Sequence, residues 1–150
     1  LHHYASSEIY RDKEIPALIK GDLVKYHHVI TNIFGNALKY TQKGYILIEL
    51  KLLSKEENKI FIRTLVKDTG IGISKENHEN IFRRFSQVEN TIKTTNGVGL
   101  GLAIAKELVE KLGGSIALES EVGEGSIFTV DIFVKAKDYD ISIYERITKE

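Results

Sequence analysis

The 150-residue chain contains no cysteine and no methionine, and it has a single proline, Pro16. Without cysteine there can be no disulfide, no thiolate metal site and no cysteine nucleophile, which suits a reducing compartment. The charges show no bias: 21 Lys and Arg balance 21 Asp and Glu. Nothing here suggests a strongly basic nucleic-acid binder or an acidic tail, and any phosphate site is expected to be local. No apolar run reaches the roughly 20 residues that span a bilayer, and no stretch of the given sequence reads as a signal peptide. A chain that starts at Leu1 and lacks methionine reads as a fragment of a longer protein. Its length suits one domain, which buries roughly 70% of its unfolded surface and needs no covalent staple.

Hydrophobic patterning outlines that domain. Residues 1–20 read as irregular to extended, and Pro16 breaks any helix there. Asp22 is a candidate N-cap for a helix to about Tyr40, with Leu23, Tyr26, Ile30, Ile33, Phe34 and Ala37 on its apolar side. Next come two alternating runs, "GYILIELKLL" and "IFIRTLVK", joined by "EENK", which predict an antiparallel hairpin. A short helix is expected at about 75–85, a polar loop at 86–98, and a helix from about Gly99 to Leu112 that ends at Gly113 and Gly114. "SIALESE" and "SIFTVDIFV" predict a second hairpin through "VGEG", and the charged residues 136–150 a tail or linker. Strands paired by short turns, with helices between them, imply an α+β two-layer sandwich. Its sheet is mixed but mostly antiparallel, with the helices on one face.

Two features exceed what folding asks for. On the first helix, His28, Asn32, Asn36 and Lys39 lie on the side opposite the apolar stripe, where an ordinary wet face would use Lys, Glu or Arg. There are also three glycine groups: "DTGIGI" (Asp68, Gly70, Gly72), "NGVGLGL" (Gly97, Gly99, Gly101) and "GEGS" (Gly123, Gly125). Taken singly, each is turn chemistry. Neither the P-loop string nor G-x-G-x-x-G after a strand occurs, and the V-A-I-K, H-R-D and D-F-G set is missing too. Taken together, Gly97, Gly99 and Gly101 lead into a helix N-terminus, where bare amides and the positive helix end attract anions. Asp68 closes a strand beside glycines that admit a flat ligand, and its carboxylate suits the exocyclic amine of adenine and repels the carbonyl of guanine.

Over about residues 16–135 the pattern resembles the ATP-binding catalytic domain of sensor histidine kinases, within the superfamily that includes DNA gyrase B, MutL and the ninety-kilodalton heat-shock chaperone. "HHVITNIFGNALKYT" is similar to the N box, "DTGIGI" to G1, "IFRRFSQ" to the F box, "NGVGLGLAIAKELVEKLGG" to G2 and "GEGSIFTV" to the closing turn and strand. The resemblance implies the superfamily's Bergerat-type ATP-binding fold over residues 1–135, with ATP and Mg²⁺ as cofactors. Asn36 would ligate Mg²⁺ with Asn32 beside it, and a neutral amide oxygen suits a hard cation next to a triphosphate. Lys39 would reach the phosphates and Tyr40 would pack on adenine. Asp68 would read the base, helped by Gly70, Gly72, Ile73 and Ser126, with Thr129 a further candidate. Gly97, Val98, Gly99, Leu100, Gly101 and Leu102 would surround the phosphates. The loop 86–98 would be the ATP lid, anchored by Phe82 and Phe85.

Where ATP-hydrolysing relatives carry a glutamate, Asn32 offers an amide that is no general base, so the resemblance implies transfer to an external acceptor. His28 reads as a supporting or solvent residue. Gln87 stands where some relatives have a phosphate-assisting arginine, and Val98 where many have threonine. Arg83 and Arg84 read as surface charge. The acceptor motif H-E-x-R-[ST]-P is absent; the nearest string, "HENIF", places His78 as an exposed helix residue, and His2 and His3 have no acceptor context. The expected partners are therefore a separate helical dimerisation domain that carries the acceptor histidine, and a response-regulator receiver domain. Neither nucleic acid nor membrane insertion is expected, and the domain is expected to be cytoplasmic. Two alternatives are an ATP-dependent conformational module of the gyrase or chaperone kind and a degenerate nucleotide-binding docking domain.

Overall fold

A computed structural model of the chain describes residues 4–13, 19–20, 23–57, 59–83 and 101–136. Its elements in chain order are β1 (Tyr4–Arg11), β2 (Ile19–Lys20), α1 (Leu23–Tyr40), β3 (Lys43–Glu56), β4 (Lys59–Asp68), two 3₁₀ turns (Lys75–Asn77 and Asn80–Phe82), α2 (Gly101–Lys111), β5 (Ser115–Glu121) and β6 (Gly125–Ala136).

The six strands form one sheet in the order β1-β3-β4-β6-β2, and β5 pairs with β6. Only β1 with β3 is parallel; the other pairs are antiparallel. The two-layer, mostly antiparallel arrangement expected from the patterning is therefore present. Both hairpins follow from period-two alternation. Ile60, Ile62, Thr64, Val66 and Asp68 of β4 all turn to the buried face, level with Val134, Ile132, Val130, Phe128 and Ser126 of β6.

Both helices cover this face. From α1 come Val29, Ile33 and Ala37, each at most 1% exposed, and from α2 come Ala105 and Val109. The stripe on α1 is thus centred on Val29, one residue from the expected Ile30, which is half-buried. Thr64, a polar residue at the centre of this core, meets the hydroxyl of Tyr26 from α1, so its hydrogen-bonding group stays matched. At its end, α2 closes with amide bonds from Gly113 to the Glu110 carbonyl (3.0 Å) and from Gly114 to the Val109 carbonyl (3.0 Å), the paired bonds of a Schellman cap.

The N-terminal stretch read as irregular to extended contains a strand of eight residues, β1. Two expectations change. The single helix expected at 75–85 is instead two 3₁₀ turns, because anchors to the core interrupt it: Ile81 is buried, and His78 bonds back to the chain before the first turn. His78 is accordingly half-buried and not an exposed helix residue.

Candidate functional site

One end of the site lies where β4 ends and β6 begins. Asp68 is the last residue of β4 and only 6% exposed. Its Oδ1 accepts the Gly70 amide at 2.9 Å, and the Ser126 amide and Thr41 hydroxyl stand close enough to the carboxylate to favour its charged form. Burial pushes the Asp68 carboxyl above the usual carboxylate range, and these three donors pull it part of the way back. Every protein partner is a donor, so the carboxylate remains an acceptor for whatever enters. A carboxylate offers about four lone-pair sites, which leaves room for one more donor.

The turn after Asp68 needs its glycines. A Cβ on Gly70 would stand 2.3 Å from the carbonyl oxygen of Tyr40, where the end of α1 crosses the turn. Gly72 sits at φ +75°, and a Cβ there would meet the Glu121 carbonyl oxygen at 2.0 Å. Backbone bonds close the same approach: the Ile71 amide reaches the Tyr40 carbonyl at 3.2 Å, and the Gly123 amide reaches the Ile71 carbonyl at 2.8 Å. "DTGIGI" is thereby clamped between the end of α1 and the β5–β6 turn. Ile73 is buried; its amide donates to Ser120 Oγ at 2.7 Å and its carbonyl accepts from His78 Nε2 at 2.9 Å. The sequence carried no sign of Thr41, Ser120 or His78 in these roles, because their partners are brought together only by folding.

The other end of the site lies between the helices. Asn32 and Asn36 are half-buried, one turn apart on α1, whereas His28 is exposed. The Asn32 side chain faces the start of α2: a Cβ on Gly101 would lie 3.7 Å from Asn32 Oδ1. Asn32 Nδ2 is buried and has no hydrogen-bond partner among the described residues. A polar group left in that condition costs about 1–3 kcal/mol, which is tolerable where a ligand supplies the missing bond. The Lys39 ammonium lies 5.3 Å from the centroid of the Tyr40 ring. Leu102 packs against the core, and Phe82 meets Phe128 edge-to-face at 6.2 Å between centroids. No group of three or more His, Asp or Glu side chains that could hold a metal occurs among the described residues. Phe85, Gly97, Val98, Gly99 and Leu100 lie outside the described residues, as do Arg84, Gln87, the loop 86–98 and the tail 137–150.

A deep carboxylate fed by donors, a glycine turn beside it, and an asparagine facing a helix N-terminus with a second one turn along define a nucleotide-binding domain of the two-layer kind. The profile of the family described as "Histidine kinase-, DNA gyrase B-, and HSP90-like ATPase" matches residues 21–136. Histidine protein kinase 1 of Candida albicans is 41% identical over 122 residues, which are 81% of this chain and 5% of that protein. The sensor histidine kinase GacS of Pseudomonas protegens is 37% identical over 127 residues, 84% of this chain and 14% of that protein. Among solved structures, full-length ShkA in complex with AMPPNP superposes with a TM-score of 0.67 at 30% identity, over 87% of this chain and 26% of that one. The nucleotide-free catalytic domain of the histidine kinase ThkA gives 0.63 at 26% identity, over 89% of this chain and 82% of that one. The chain belongs to this ATPase family, and within it is the catalytic domain of a histidine kinase. It spans only a small part of the curated kinases it matches.

Proposed function

We propose that this domain binds ATP with Mg²⁺ and transfers the γ-phosphate to a histidine on a separate helical dimerisation domain, from which a receiver domain takes it. The observation that carries this reading is the Asp68 pocket: a buried carboxylate whose protein partners are all donors and whose remaining acceptor capacity suits the 6-amino group of adenine. Gly70, Gly72, Ile73 and Ser126 shape this end, with Tyr40 against the base. At the other end Asn36 holds Mg²⁺ with Asn32 beside it, and Lys39 and the segment from Gly97 to Leu102 hold the phosphates. The orphaned Asn32 amide and the carboxamide oxygens suit a hydrated cation and a triphosphate. Bound Mg²⁺ neutralises charge on the phosphates. The chain's own groups position them, which is most of what phosphoryl transfer asks of a protein.

Asn32 is no base, so water is not activated there and the acceptor must arrive from outside. This disfavours the gyrase-like or chaperone-like reading. The catalytic unit is assigned to residues 1–135 with a tail from 136, consistent with β6 ending at Ala136. A cytoplasmic placement accords with the cysteine-free sequence; among the described residues no helix is long and apolar enough to cross a membrane. Titration with a non-hydrolysable ATP analogue, with and without Mg²⁺, tests the reading on the parent chain and on Asp68→Asn. The parent should bind and the variant should lose most of its affinity; equal affinity would remove the adenine role of Asp68.

A further inference from the structure

Three polar side chains stand abreast on the helix-facing side of the sheet, one on each of three neighbouring strands. Asp68 of β4 is in register with Ser126 of β6, and Ser126 is in register with Ser120 of β5. One row further in, the same strands carry Val66, Phe128 and Leu118. The polar row therefore ends the hydrophobic core and begins the pocket. Ser120 is the member farthest from the carboxylate, and its hydroxyl has three neighbours. The Ile73 amide is 2.7 Å away, the Gly125 carbonyl oxygen 2.8 Å and Ser126 Oγ 2.8 Å.

The proton arrangement follows by elimination. A serine hydroxyl has one hydrogen and two lone pairs. The Ile73 N–H can only donate, so it occupies one lone pair. The Gly125 carbonyl can only accept, so it takes the single hydrogen. The remaining lone pair of Ser120 then faces Ser126 Oγ, and the contact is satisfied only if Ser126 donates. Ser126 is 6% exposed, and leaving such groups unmatched is costly. With its hydrogen turned toward Ser120, the hydroxyl of Ser126 presents only lone pairs to the space beside Asp68.

We infer that Ser120 is a specificity-positioning residue: by taking up the hydroxyl hydrogen of Ser126, it makes that side of the pocket acceptor-only and so selects a 6-amino over a 6-oxo purine. The inference rests on the adenine role proposed for Asp68 and extends it. A 6-amino group has two hydrogens to give; a 6-oxo group would meet oxygen lone pairs from both Asp68 and Ser126. Without Ser120, the hydroxyl of Ser126 can rotate and donate to a 6-oxo group, directly or through a water.

The test compares the dissociation constants of ATP and inosine triphosphate, both with Mg²⁺, for the parent chain, Ser120→Ala, Ser120→Thr, Ser126→Ala and the double variant. In Ser120→Ala the preference for ATP should shrink about five- to tenfold, the worth of roughly one hydrogen bond. Ser120→Thr keeps the hydroxyl and should keep the preference. In the Ser126→Ala background, Ser120→Ala should leave the ratio unchanged, since no hydroxyl remains to be turned. A purely structural Ser120 would weaken both nucleotides in parallel, and that result, or a ratio shift that persists without the Ser126 hydroxyl, overturns the inference. If Ser120→Ala does not fold, a Ser126→Ala ratio equal to the parent's overturns it as well. A parent chain that binds both nucleotides equally would instead refute the adenine reading of Asp68.

Discussion

The two ends of the site are built differently. The Asp68 end is made of strand termini and clamped turns: the carboxylate is buried, its partners are in place, and Gly70 and Gly72 leave no space for a side chain. The Asn32 end is made of helix faces: Asn32 and Asn36 are half-buried, and one amide group has no partner among the described residues. The first end has already met the cost of ordering and needs only a shape and a donor. The second keeps groups in reserve that a cation and phosphates would complete. On the proposed function, preorganisation at one end and latent hydrogen-bonding capacity at the other predict that binding of the base does not depend on Mg²⁺.

The largest disturbance should come from Asp68→Asn. The substitution removes one acceptor oxygen and turns an amide donor toward the Gly70, Ser126 and Thr41 donors. Loss of a charged, buried hydrogen-bond partner is worth about 1.5–3 kcal/mol, or on the order of ten- to a hundredfold in nucleotide affinity by calorimetry. The loss should be the same with and without Mg²⁺; a loss confined to Mg²⁺ would mean that the two ends are not separate.

Gly72→Ala comes next. A Cβ 2.0 Å from the Glu121 carbonyl, on a backbone at φ +75°, should lower unfolding stability by about 1–3 kcal/mol in chemical denaturation. Gly101→Ala, where the nearest atom is 3.7 Å away, should cost far less stability, so the pair compares the rigidity of the two ends. Equal losses would break the contrast. Asn36→Ala should reduce affinity about tenfold with Mg²⁺ present and change it little without the metal, because only the second end relies on the cation. An effect of equal size in the absence of Mg²⁺ would count against the assignment.

The smallest effect concerns pH. Burial raises the Asp68 carboxyl, so the native state holds its proton at pH values where the unfolded chain has released it. In that window, above the ordinary aspartate range, this group makes the ligand-free protein more stable as pH falls and less stable as pH rises. Nucleotide affinity should move the other way, weakening on acidification as the carboxylate becomes a neutral acid. Thermal melts and titrations at matched pH test the two signs, and Asp68→Asn should flatten both. A stability slope that is unchanged in the variant would assign the proton elsewhere.

Much of the fold was legible because its elements bury one face each. The alternation of Ile60, Ile62, Thr64 and Val66 and the helical spacing of Ile33 and Ala37 map directly onto burial. β1 was legible only as extended chain: residues 6–11 of its segment "YASSEIYR" are all exposed, Ile9 at 70%, and its strand pairing is the parallel one with β3. The 3₁₀ turns escaped as well, since anchors to Ile73 and the core override local helical preference. In the site, Asp68, Gly70, Gly72, Asn32 and Asn36 were visible because each belongs to a short contiguous pattern. Ser120 and Thr41 were not, because a serine or threonine near a strand or helix end is unremarkable until its partner arrives; Ser120 meets Ile73 across 47 positions of chain.

The order of hydrophobic and polar residues determined by itself most of the strands and helices and the faces they bury, because periodicity and backbone permission are local properties. Tertiary structure alone decided the strand order, the burial and donor set that tune Asp68, and the polar row through Ser126 to Ser120. Those depend on which distant residues become neighbours, and hydrogen-bond direction and desolvation exist only once the neighbours are in place.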